Sequence, residues 1–385
     1  MRKITKAGLG ALGASAMLLT LAGPALADGS PQTADFVAVG SDTVQNASNF
    51  LFDGDQNGNP GFNFSNKATR VFSFDANGDD NGRALYPANS TTALAVTEIL
   101  RAGTLPVARP NGSGSGIAAI TADSIGGTGY STLPNGNINI VRASRLPKPA
   151  EQTACAAITD CGGLHVFQFA TDDLQAATAV TTNATAGLTD LQLAHIYQCD
   201  TGYTNWNGTL GGTSADAIIP VIPQSGSGTR NFFLADLHAA LSTFSATGST
   251  LGSCVITGQE HDPTSITSNV AKQDVVMPFS IGKLALVNGT EPGGKSYFGA
   301  AVAGTIMSNY SATVAGSYDA PRGLYFIVRD FDLANAAHYS PSATKNVYSY
   351  LFSGSTSFIA RSSNNALIQS AGLTPSYNDL GDASA

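Results

Sequence analysis

Residues 222–230 read Ile-Pro-Gln-Ser-Gly-Ser-Gly-Thr-Arg and follow a short apolar segment, 217–222. Apolar residues at 232, 233, 237 and 241 then share one helix face, so this region predicts a strand, a Gly/Ser/Thr turn and a helix. A helix N-terminus presents free backbone N–H groups and a dipole that both favour an anion. The hydroxyls of Ser227 and Thr229 add donors, and glycines let a ligand approach the backbone closely. Alone, the stretch fits a plain loop before a capped helix equally well.

Two further turns of this kind lie earlier in the chain. The strand predicted at 35–40 ends in Gly-Ser-Asp-Thr at 40–43 before a helix, and a Gly/Ser-rich turn at 109–116 precedes helical residues 117–120. Ligands of α/β sheets bind at the carboxyl ends of strands, often in a cleft. Three such turns in one chain therefore indicate that they converge on one anion.

The remaining periodicities complete an α/β pattern, which is the predicted fold class. Further strands are predicted at 137–144, 164–169, 278–282 continued by 284–287, and 323–328; helices are predicted at 92–100, 188–197, 344–352 and 365–371, the last with Gly372 as its C-cap.

The first 27 residues have the pattern of a signal peptide. Met1–Lys6 is basic, 9–21 is apolar but short for a membrane span, and Ala25-Leu26-Ala27 is a small-residue cleavage site. The first cysteine is Cys155, so a lipid anchor on a mature N-terminal cysteine is not expected. We expect cleavage after Ala27 and a protein that is secreted, extracellular or associated with the cell wall, and that does not span the membrane.

The composition of the chain limits the classes of partner that it is expected to bind. Charged residues make up 12% of the chain, the net charge is −8, and no basic stripe is present, so nucleic acid is not expected. Four cysteines in an exported chain predict two disulfides, with three connectivities available. Cys155–Cys161 and Cys199–Cys254 are favoured because the first pair closes a tight local loop. The five histidines show no ligand spacing, so neither a metal nor a cofactor is expected.

The segment 53–82 is rich in Asp, Asn and Gly. Its two runs, 53–58 and 75–82, resemble the start of a calcium-binding loop, but their twelfth positions hold Phe64 and Tyr86 where such a loop has Glu. Two solvated turns are therefore the favoured interpretation, and calcium binding is the alternative.

Four stretches in this order resemble the phosphate-binding-protein family of bacterial phosphate ABC importers, and within it a secreted actinobacterial branch. They are Val39–Thr43, Asn111–Ile117, Leu188–Trp206 and Gln224–Thr229. Residues 280–282 and the tail 371–375 also fit. The resemblance covers most of residues 28–385 except 53–82, and the order of the motifs is more specific than any one motif.

The resemblance implies a type II periplasmic-binding-protein fold, in which two α/β lobes joined by a two-segment hinge close on a ligand cleft. It places lobe 1 at 28–170 and 322–385 and lobe 2 at 171–321. It also implies a monomeric, non-enzymatic protein that captures inorganic phosphate or a similar oxyanion for an ABC permease. The anion ligands that it carries over are the backbone N–H groups of Thr43 and Val44, the hydroxyls of Thr43 and Ser113, and the helix N-terminus at Ser227, Gly228 and Thr229.

Two positions depart from the family pattern. The family places an Asp, which accepts the proton of hydrogen phosphate and so rejects sulfate, where this chain has Arg145. The family also pairs an Arg and an Asp where this chain has Pro223 and Ser225. We hypothesise that Arg145 pairs with the anion through its forked donors, and that Asp42 is the proton acceptor.

Each of these two hypotheses has a structural alternative. Arg145 fits a solvent-facing or lobe-bridging ion pair as well, and Asp42 fits a helix N-cap. Without Asp42 as acceptor, a general oxyanion site becomes the better interpretation.

Two other function classes compete with solute binding. A secreted, phosphatase-like hydrolase would need metal ligands or an activated nucleophile, and neither a G-x-S-x-G elbow nor an H-E-x-x-H motif occurs. A secreted protein of the same fold with a cell-wall, adhesive or scaffold role is mildly favoured by the missing lipid-anchor cysteine. An intact, buried anion pocket would argue against it.

Overall fold

A computed structural model describes residues 31–76, 97–104, 106–127, 130, 136–290, 301–335 and 346–385. The predicted signal peptide, residues 77–82 of the second acidic run and most of the helix predicted at 92–100 lie outside these residues. No helix in the described part of the chain has both the length and the hydropathy needed to cross a membrane.

Within the described residues there are twelve strands. They are β1 (Phe36–Gly40), β2 (Val71–Ser73), β3 (Thr97–Glu98), β4 (Val107–Ala108), β5 (Ile140–Ala143), β6 (Leu164–Ala179), β7 (Ile219–Pro223), β8 (Ile256–Gly258), β9 (Val275–Ser280), β10 (Ile306–Ser308), β11 (Asp319–Arg329) and β12 (Thr374–Gly381).

The same residues form eleven α-helices. They are α1 (Asp42–Asp53), α2 (Phe62–Ser65), α3 (Ser113–Ile125), α4 (Pro149–Ala156), α5 (Asp190–Gln198), α6 (Gly228–Ala240), α7 (Thr264–Thr267), α8 (Ile281–Asn288), α9 (Asp330–Ala334), α10 (Val347–Phe352) and α11 (Asn365–Gln369).

Ten of the strands form one mixed sheet in the order β2-β1-β5-β11-β6-β9-β7-β8, with β10 and β12 also paired to β6; β3 and β4 pair only with each other. The strands β1, β2 and β5 are parallel to one another at one end, and β7, β8 and β9 are parallel at the other. Between them, β6 and β11 run antiparallel over their whole shared length, with a register shift between Leu324 and Tyr325. These two long strands therefore connect the two parallel halves.

Apolar side chains cover both faces of each parallel half. In β1, Phe36 and Ala38 join one hydrophobic cluster, while Val37 and Val39 join a second cluster on the opposite face. The other half has two further clusters, which divide β9 in the same way. Successive side chains of a strand point to opposite faces, so a parallel sheet covered on both faces needs apolar residues at nearly every position. This burial leaves the strand ends as the places for polar groups.

The predicted lobe boundaries fall inside the two long strands. The boundary at 170/171 lies within β6, and the boundary at 321/322 lies within β11. The segments that cross between the halves are therefore paired strands. The exact lobe limits, 28–170 with 322–385 and 171–321, remain a prediction.

Two sequence-based assignments are wrong. Residues 284–287 do not continue a strand but lie in α8, whose apolar residues Ile281, Leu284 and Val287 recur at helical spacing. The N-cap of α8 is Ser280, whose hydroxyl accepts a hydrogen bond from the Lys283 N–H at 3.1 Å. Residues 97–98, predicted as helix, form the short strand β3.

Both predicted disulfides are present, Cys155–Cys161 and Cys199–Cys254. The first closes a loop with a sequence separation of 6 at the end of α4, and the second bridges a separation of 55 between the end of α5 and the segment before β8. A longer closed loop removes more conformational entropy from the unfolded chain.

We therefore expect the two disulfides to contribute unequally to stability. Replacing Cys199 and Cys254 with Ala should lower the free energy of unfolding by about 4 kcal/mol, and replacing Cys155 and Cys161 by about 2 kcal/mol, on chain-entropy grounds. Urea unfolding of the two double variants measures both values. Equal losses, or a larger loss for the short loop, would contradict the prediction.

Candidate functional site

The three glycine-containing turns meet in the structure. The Gly112 N–H donates to the Gly40 carbonyl at 3.3 Å, and the Gly114 N–H donates to the Gly226 carbonyl at 3.0 Å. At Gly112, whose φ is +102°, a Cβ would lie 2.5 Å from the Gly226 oxygen. Only glycine permits both this backbone conformation and this approach. The predicted convergence of the turns is thus present in the fold.

Three long helices begin at this meeting point. The N-caps of α1, α3 and α6 are Ser41, Gly112 and Ser227, and the helices contain 12, 13 and 13 residues. The Ser227 hydroxyl accepts a hydrogen bond from the Arg230 N–H at 2.9 Å, which caps α6. The unpaired N–H groups and aligned dipoles of helix N-termini give the region a positive potential.

Buried serine hydroxyls fill the space between the first turns. The Ser144 Oγ, just after β5, lies 3.3 Å from both Ser41 Oγ and Ser113 Oγ, and the Ser144 N–H donates to Ser113 Oγ at 2.9 Å. A Cβ on Gly228 would collide with the Ser113 and Ser144 hydroxyls. The α6 N-terminus therefore reaches this serine cluster directly.

A buried guanidinium faces the third turn. Arg322 on β11 is opposite Asp172 on β6 in the strand register, and its Nε and Nη2 donate to Asp172 Oδ2 at 3.1 and 2.9 Å. Its Nη1 donates to Thr229 Oγ1 at 2.7 Å. Thr229 Oγ1 in turn lies 3.1 Å from Thr43 Oγ1. Asp172 thus binds two of the three guanidinium nitrogens of Arg322, Nε and Nη2, and the third nitrogen, Nη1, is directed at the turns.

Asp172 is itself fixed by α8. Its Oδ1 accepts hydrogen bonds from Ser280 Oγ at 2.8 Å and from the Gly282 N–H at 3.2 Å. Both Asp172 and Arg322 are almost fully buried. An ion pair at this depth is stable only when its remaining donors and acceptors are also bonded, as they are here.

His261 lies beside the two threonines and has a defined tautomer. Its Nδ1 accepts a hydrogen bond from the Ser280 N–H at 3.2 Å, so in the neutral ring the proton is on Nε2. Nε2 lies 2.9 Å from Thr43 Oγ1 and 3.2 Å from Thr229 Oγ1. Burial lowers the pKa of His261 more than the neighbouring Glu260 raises it. The residue adopts a left-handed conformation with φ of 54°, which is uncommon outside glycine and is often found at functional sites.

Glu260 places a carboxylate against the same threonines. Its Oε1 accepts a hydrogen bond from Thr43 Oγ1 at 2.9 Å, and its Oε2 is fully buried with no hydrogen-bond partner within the described structure. Burial alone would raise the pKa of Glu260, but the hydrogen bond from His261 brings it below its ordinary value. The site therefore contains a buried carboxylate, and one of its oxygens has no hydrogen-bond partner among the described residues.

Asp42 is the first residue of α1, and the N-cap is Ser41 rather than Asp42. Its carboxylate forms a buried ion pair with Lys283 Nζ at 2.9 Å, and Lys283 also donates to Asn46. The Gln259 side-chain amide lies 3.4 Å from the other Asp42 oxygen. Asp42 is therefore paired with a buried cation, and its role as a proton acceptor remains a prediction.

Arg145 forms a local ion pair with Glu151, six residues along the chain, rather than a solvent-facing or lobe-bridging pair. Its Nη1 and Nη2 donate to the Glu151 carboxylate at 2.8 and 2.7 Å, and Nη1 also donates to the Leu146 carbonyl at 2.7 Å. Burial raises the pKa of Glu151, but the hydrogen bond and charge of Arg145 lower it below its ordinary value. Arg145 lies near Gly114, so anion pairing by Arg145 stays a hypothesis, but its donors are directed mainly at Glu151.

The other predicted ligands occupy the expected region. The backbone N–H of Val44 lies in the first turn of α1, beside Thr43. The hydroxyls of Ser113 and Thr229 and the first residues of α6 meet as described above. Their role as anion ligands remains a prediction.

The acidic turn at 53–58 is internally bonded. Asp55 accepts hydrogen bonds from the backbone N–H groups of Asn57 and Asn59, and from the side chains of Asn59 and Ser370. Asp53 accepts from the Asn63 side chain. These carboxylates stabilise the turn itself, in agreement with the turn interpretation.

The architecture is that of the type II periplasmic-binding-protein fold. A structure described as a candidate phosphate ABC transporter substrate-binding protein from Clostridium perfringens, with bound phosphate, is 17% identical, with a TM-score of 0.52, and the match covers 89% of this chain and 99% of that one. An ABC-type phosphate transport receptor from Vibrio cholerae is also 17% identical, with coverages of 88% and 99% and a TM-score of 0.45. A phosphate-binding protein from Stenotrophomonas maltophilia is 12% identical, with coverages of 89% and 90% and a TM-score of 0.47.

The family model of the PBP superfamily domain matches residues 80–355. The protein therefore belongs to this family, and its resemblance to the periplasmic binding proteins is confirmed. No curated protein sequence matches the chain. The actinobacterial branch remains a prediction.

The Asp42–Lys283 pair gives a stability prediction. Lys283→Met should destabilise the protein by about 3–5 kcal/mol, because it leaves a buried carboxylate without its cation. Adding Asp42→Asn to Lys283→Met should recover part of this loss, since the uncompensated charge is then removed. Urea unfolding measures both, with Lys272→Met, an exposed lysine, as the control. Equal stabilities of Lys283→Met and the control would refute the pairing.

Proposed function

We propose that this protein is an extracellular solute-binding protein that captures inorganic phosphate, or a related oxyanion, in the cleft between its two lobes. The observation that carries the proposal is the meeting of three helix N-termini, a set of buried hydroxyls and the Arg322 guanidinium at one buried point. An oxyanion has several oxygens with lone pairs in many directions. Such a set of converging donors matches that chemistry.

Arg322 takes the charge-pairing role in this proposal. Its Nη1 is directed at Thr229, which begins α6, while Asp172 fixes the rest of the guanidinium. A guanidinium fixed in this way loses little side-chain entropy when an anion binds, and the low dielectric of a buried site strengthens its hydrogen bonds. The Arg322–Asp172 pair would therefore replace the Arg–Asp pair that the sequence lacks at Pro223 and Ser225.

Glu260 takes the role of proton acceptor. Its free Oε2 can accept a hydrogen bond only from a ligand that carries a proton, as hydrogen phosphate does. Sulfate has no proton at neutral pH and would place two unshielded negative groups together in a buried site, which is unfavourable. Glu260 therefore supports selection of phosphate over sulfate better than Asp42 does, because Asp42 is paired with Lys283.

The geometry does not favour a hydrolase. The threonine–histidine–glutamate cluster has the residue types of a catalytic triad, but the His261 Nε2 carries its proton and faces Thr43 as a donor. It cannot accept the threonine proton in that tautomer, so His261 is not placed to act as a general base toward Thr43.

One phosphate-loop pattern does occur in the sequence, Gly289 to Ser296, with Gly294-Lys295-Ser296 at its end. A nucleotide-binding phosphate loop follows a strand and precedes a helix. This pattern follows helix α8, and residues 291–300 lie outside the described part of the chain. It therefore gives no support for a nucleotide-dependent enzyme.

Uptake by an ABC permease is the transport role that the family resemblance supports, with the protein acting as a secreted or cell-wall-associated monomer. The buried donor set argues against a purely adhesive or scaffold role, for which an anion site would have no use.

Calorimetric titration of residues 28–385 with phosphate tests the proposed site. The unmodified protein should bind phosphate, and Thr229→Val and Arg322→Lys should each weaken binding roughly 10- to 150-fold, the range for a lost hydrogen bond to a charged group. Arg322→Lys keeps the positive charge, so the buried Asp172 carboxylate still has a cation beside it. Thermal unfolding of each variant verifies that it folds.

The matched control is Arg145→Ala. Retention of phosphate affinity in this variant is expected, because Arg145 is bonded to Glu151. Loss of binding in Arg145→Ala with retention in Arg322→Lys would restore the original hypothesis for Arg145. Absence of phosphate binding in the unmodified, folded protein would refute the proposed function.

Competition with sulfate tests the role of Glu260. The unmodified protein should prefer phosphate, and Glu260→Gln should reduce that preference roughly 10- to 150-fold, because the neutral amide can donate to sulfate and no longer repels it. The ratio of the two dissociation constants is the measurement. An unchanged ratio in Glu260→Gln would exclude Glu260 as the discriminating group.

A further inference from the structure

A second cluster of titratable side chains lies at the N-terminal end of β6. His165 on β6, Asp330 at the start of α9 and Asp382 after β12 bring one potential metal-ligand atom each to within 4.8 Å of one another. His165 is seven residues from Asp172, which is about 23 Å along a strand. The cluster is therefore separate from the proposed anion site and does not depend on it.

The donor set combines one imidazole with two carboxylates from three different elements. The His165 Nδ1 lies 3.2 Å from Asp330 Oδ1. Donors bound to one tetrahedral zinc ion at about 2.0–2.2 Å lie roughly 3.3–3.5 Å from each other, so this separation is close to that of two ligands of one ion. The Asp330 carboxylate also packs against Gly163, where any Cβ would collide with it.

The other imidazole nitrogen is already engaged. The His165 Nε2 lies 2.7 Å from Asp379 Oδ1 on β12, and the ring stacks on Phe167 with centroids 4.5 Å apart. In metal sites a carboxylate commonly receives the second N–H of a ligand histidine, which fixes the ring and the tautomer. Asp379 would keep the proton on Nε2 and leave the Nδ1 lone pair directed at Asp330 and Asp382.

Negative charge is in excess at this place. Three carboxylates, those of Asp330, Asp379 and Asp382, surround one imidazole. A protonated His165 bridging Asp330 and Asp379 offsets only part of that charge. A divalent cation in place of the Nδ1 proton would offset more of it, and a site with an imidazole nitrogen favours zinc-like ions over calcium or magnesium.

We propose that His165, Asp330 and Asp382 form a binding site for a zinc-like divalent transition metal, with Asp379 as the positioning residue for the imidazole. The three ligands leave a fourth tetrahedral position for water. Because Asp382 directly follows β12, the metal would also connect the segment after β12 to β6 and α9.

Calorimetric titration of residues 28–385 with Zn²⁺, in phosphate-free buffers of different ionisation enthalpy, tests the proposal. One zinc ion per chain should bind, with release of protons from the cluster. His165→Gln and Asp382→Asn should each weaken zinc binding at least about tenfold. Asp382 is exposed, so its replacement keeps the fold intact and remains informative if the histidine variant unfolds.

The matched control is His195→Gln. His195 also pairs with one aspartate, Asp200 at 2.7 Å, and stacks on an aromatic ring, Tyr203, but belongs to no three-ligand group within the described residues. Its replacement should leave zinc affinity unchanged. Unchanged zinc affinity in His165→Gln, equal affinity for Ca²⁺ and Zn²⁺, or no zinc binding by the unmodified protein would each overturn the proposal.

Discussion

The ion pair between Asp172 and Arg322 connects the fold to the site. Each residue belongs to one of the two strands that pass through both halves of the sheet, and their register places them opposite each other. Asp172 also binds the start of α8, and Arg322 binds the start of α6 through Thr229. One buried pair thus positions the central strands, two helix N-termini and the third turn. A surface pair of the same charges could not take its place, because exposed ion pairs contribute little to stability.

The turns lie where they do because the sheet interior excludes polar groups. Apolar side chains fill both faces of the parallel strands, so hydroxyls and backbone donors collect where those strands end. The same constraint explains the depth of the polar cluster. Its serines, threonines, His261 and Glu260 are buried yet almost all hydrogen-bonded. Within this cluster, Glu260 Oε2 is the atom without a partner among the described residues.

Short sequence patterns were sufficient to predict those features of the structure that depend on residues close together in the chain. The three turns, most strands and helices and both disulfides could be predicted because glycine, hydroxyl and cysteine patterns act over a few residues. The partners of Arg145 and Asp42 could not, since each charge had several carboxylates or lysines available and only packing selects one. Arg322, Glu260 and His261 carried no motif: Arg322 reaches the turns from a strand 93 residues away from Thr229, and only the strand pairing brings it there. Arg322 directly precedes the strand predicted at 323–328, and an arginine beside a predicted strand was the one available signal.

The crossing segments β6 and β11 form a hydrogen-bonded ribbon, and this has a mechanical consequence. A paired ribbon resists stretching and sliding, because either would break a row of hydrogen bonds at once, but it can twist at low cost. The register shift between Leu324 and Tyr325 is the place where that twist concentrates, since a bulge loosens the ladder and increases local rotation. Arg322 lies two residues from this register shift, so a change of twist at the shift would move its guanidinium relative to the turns.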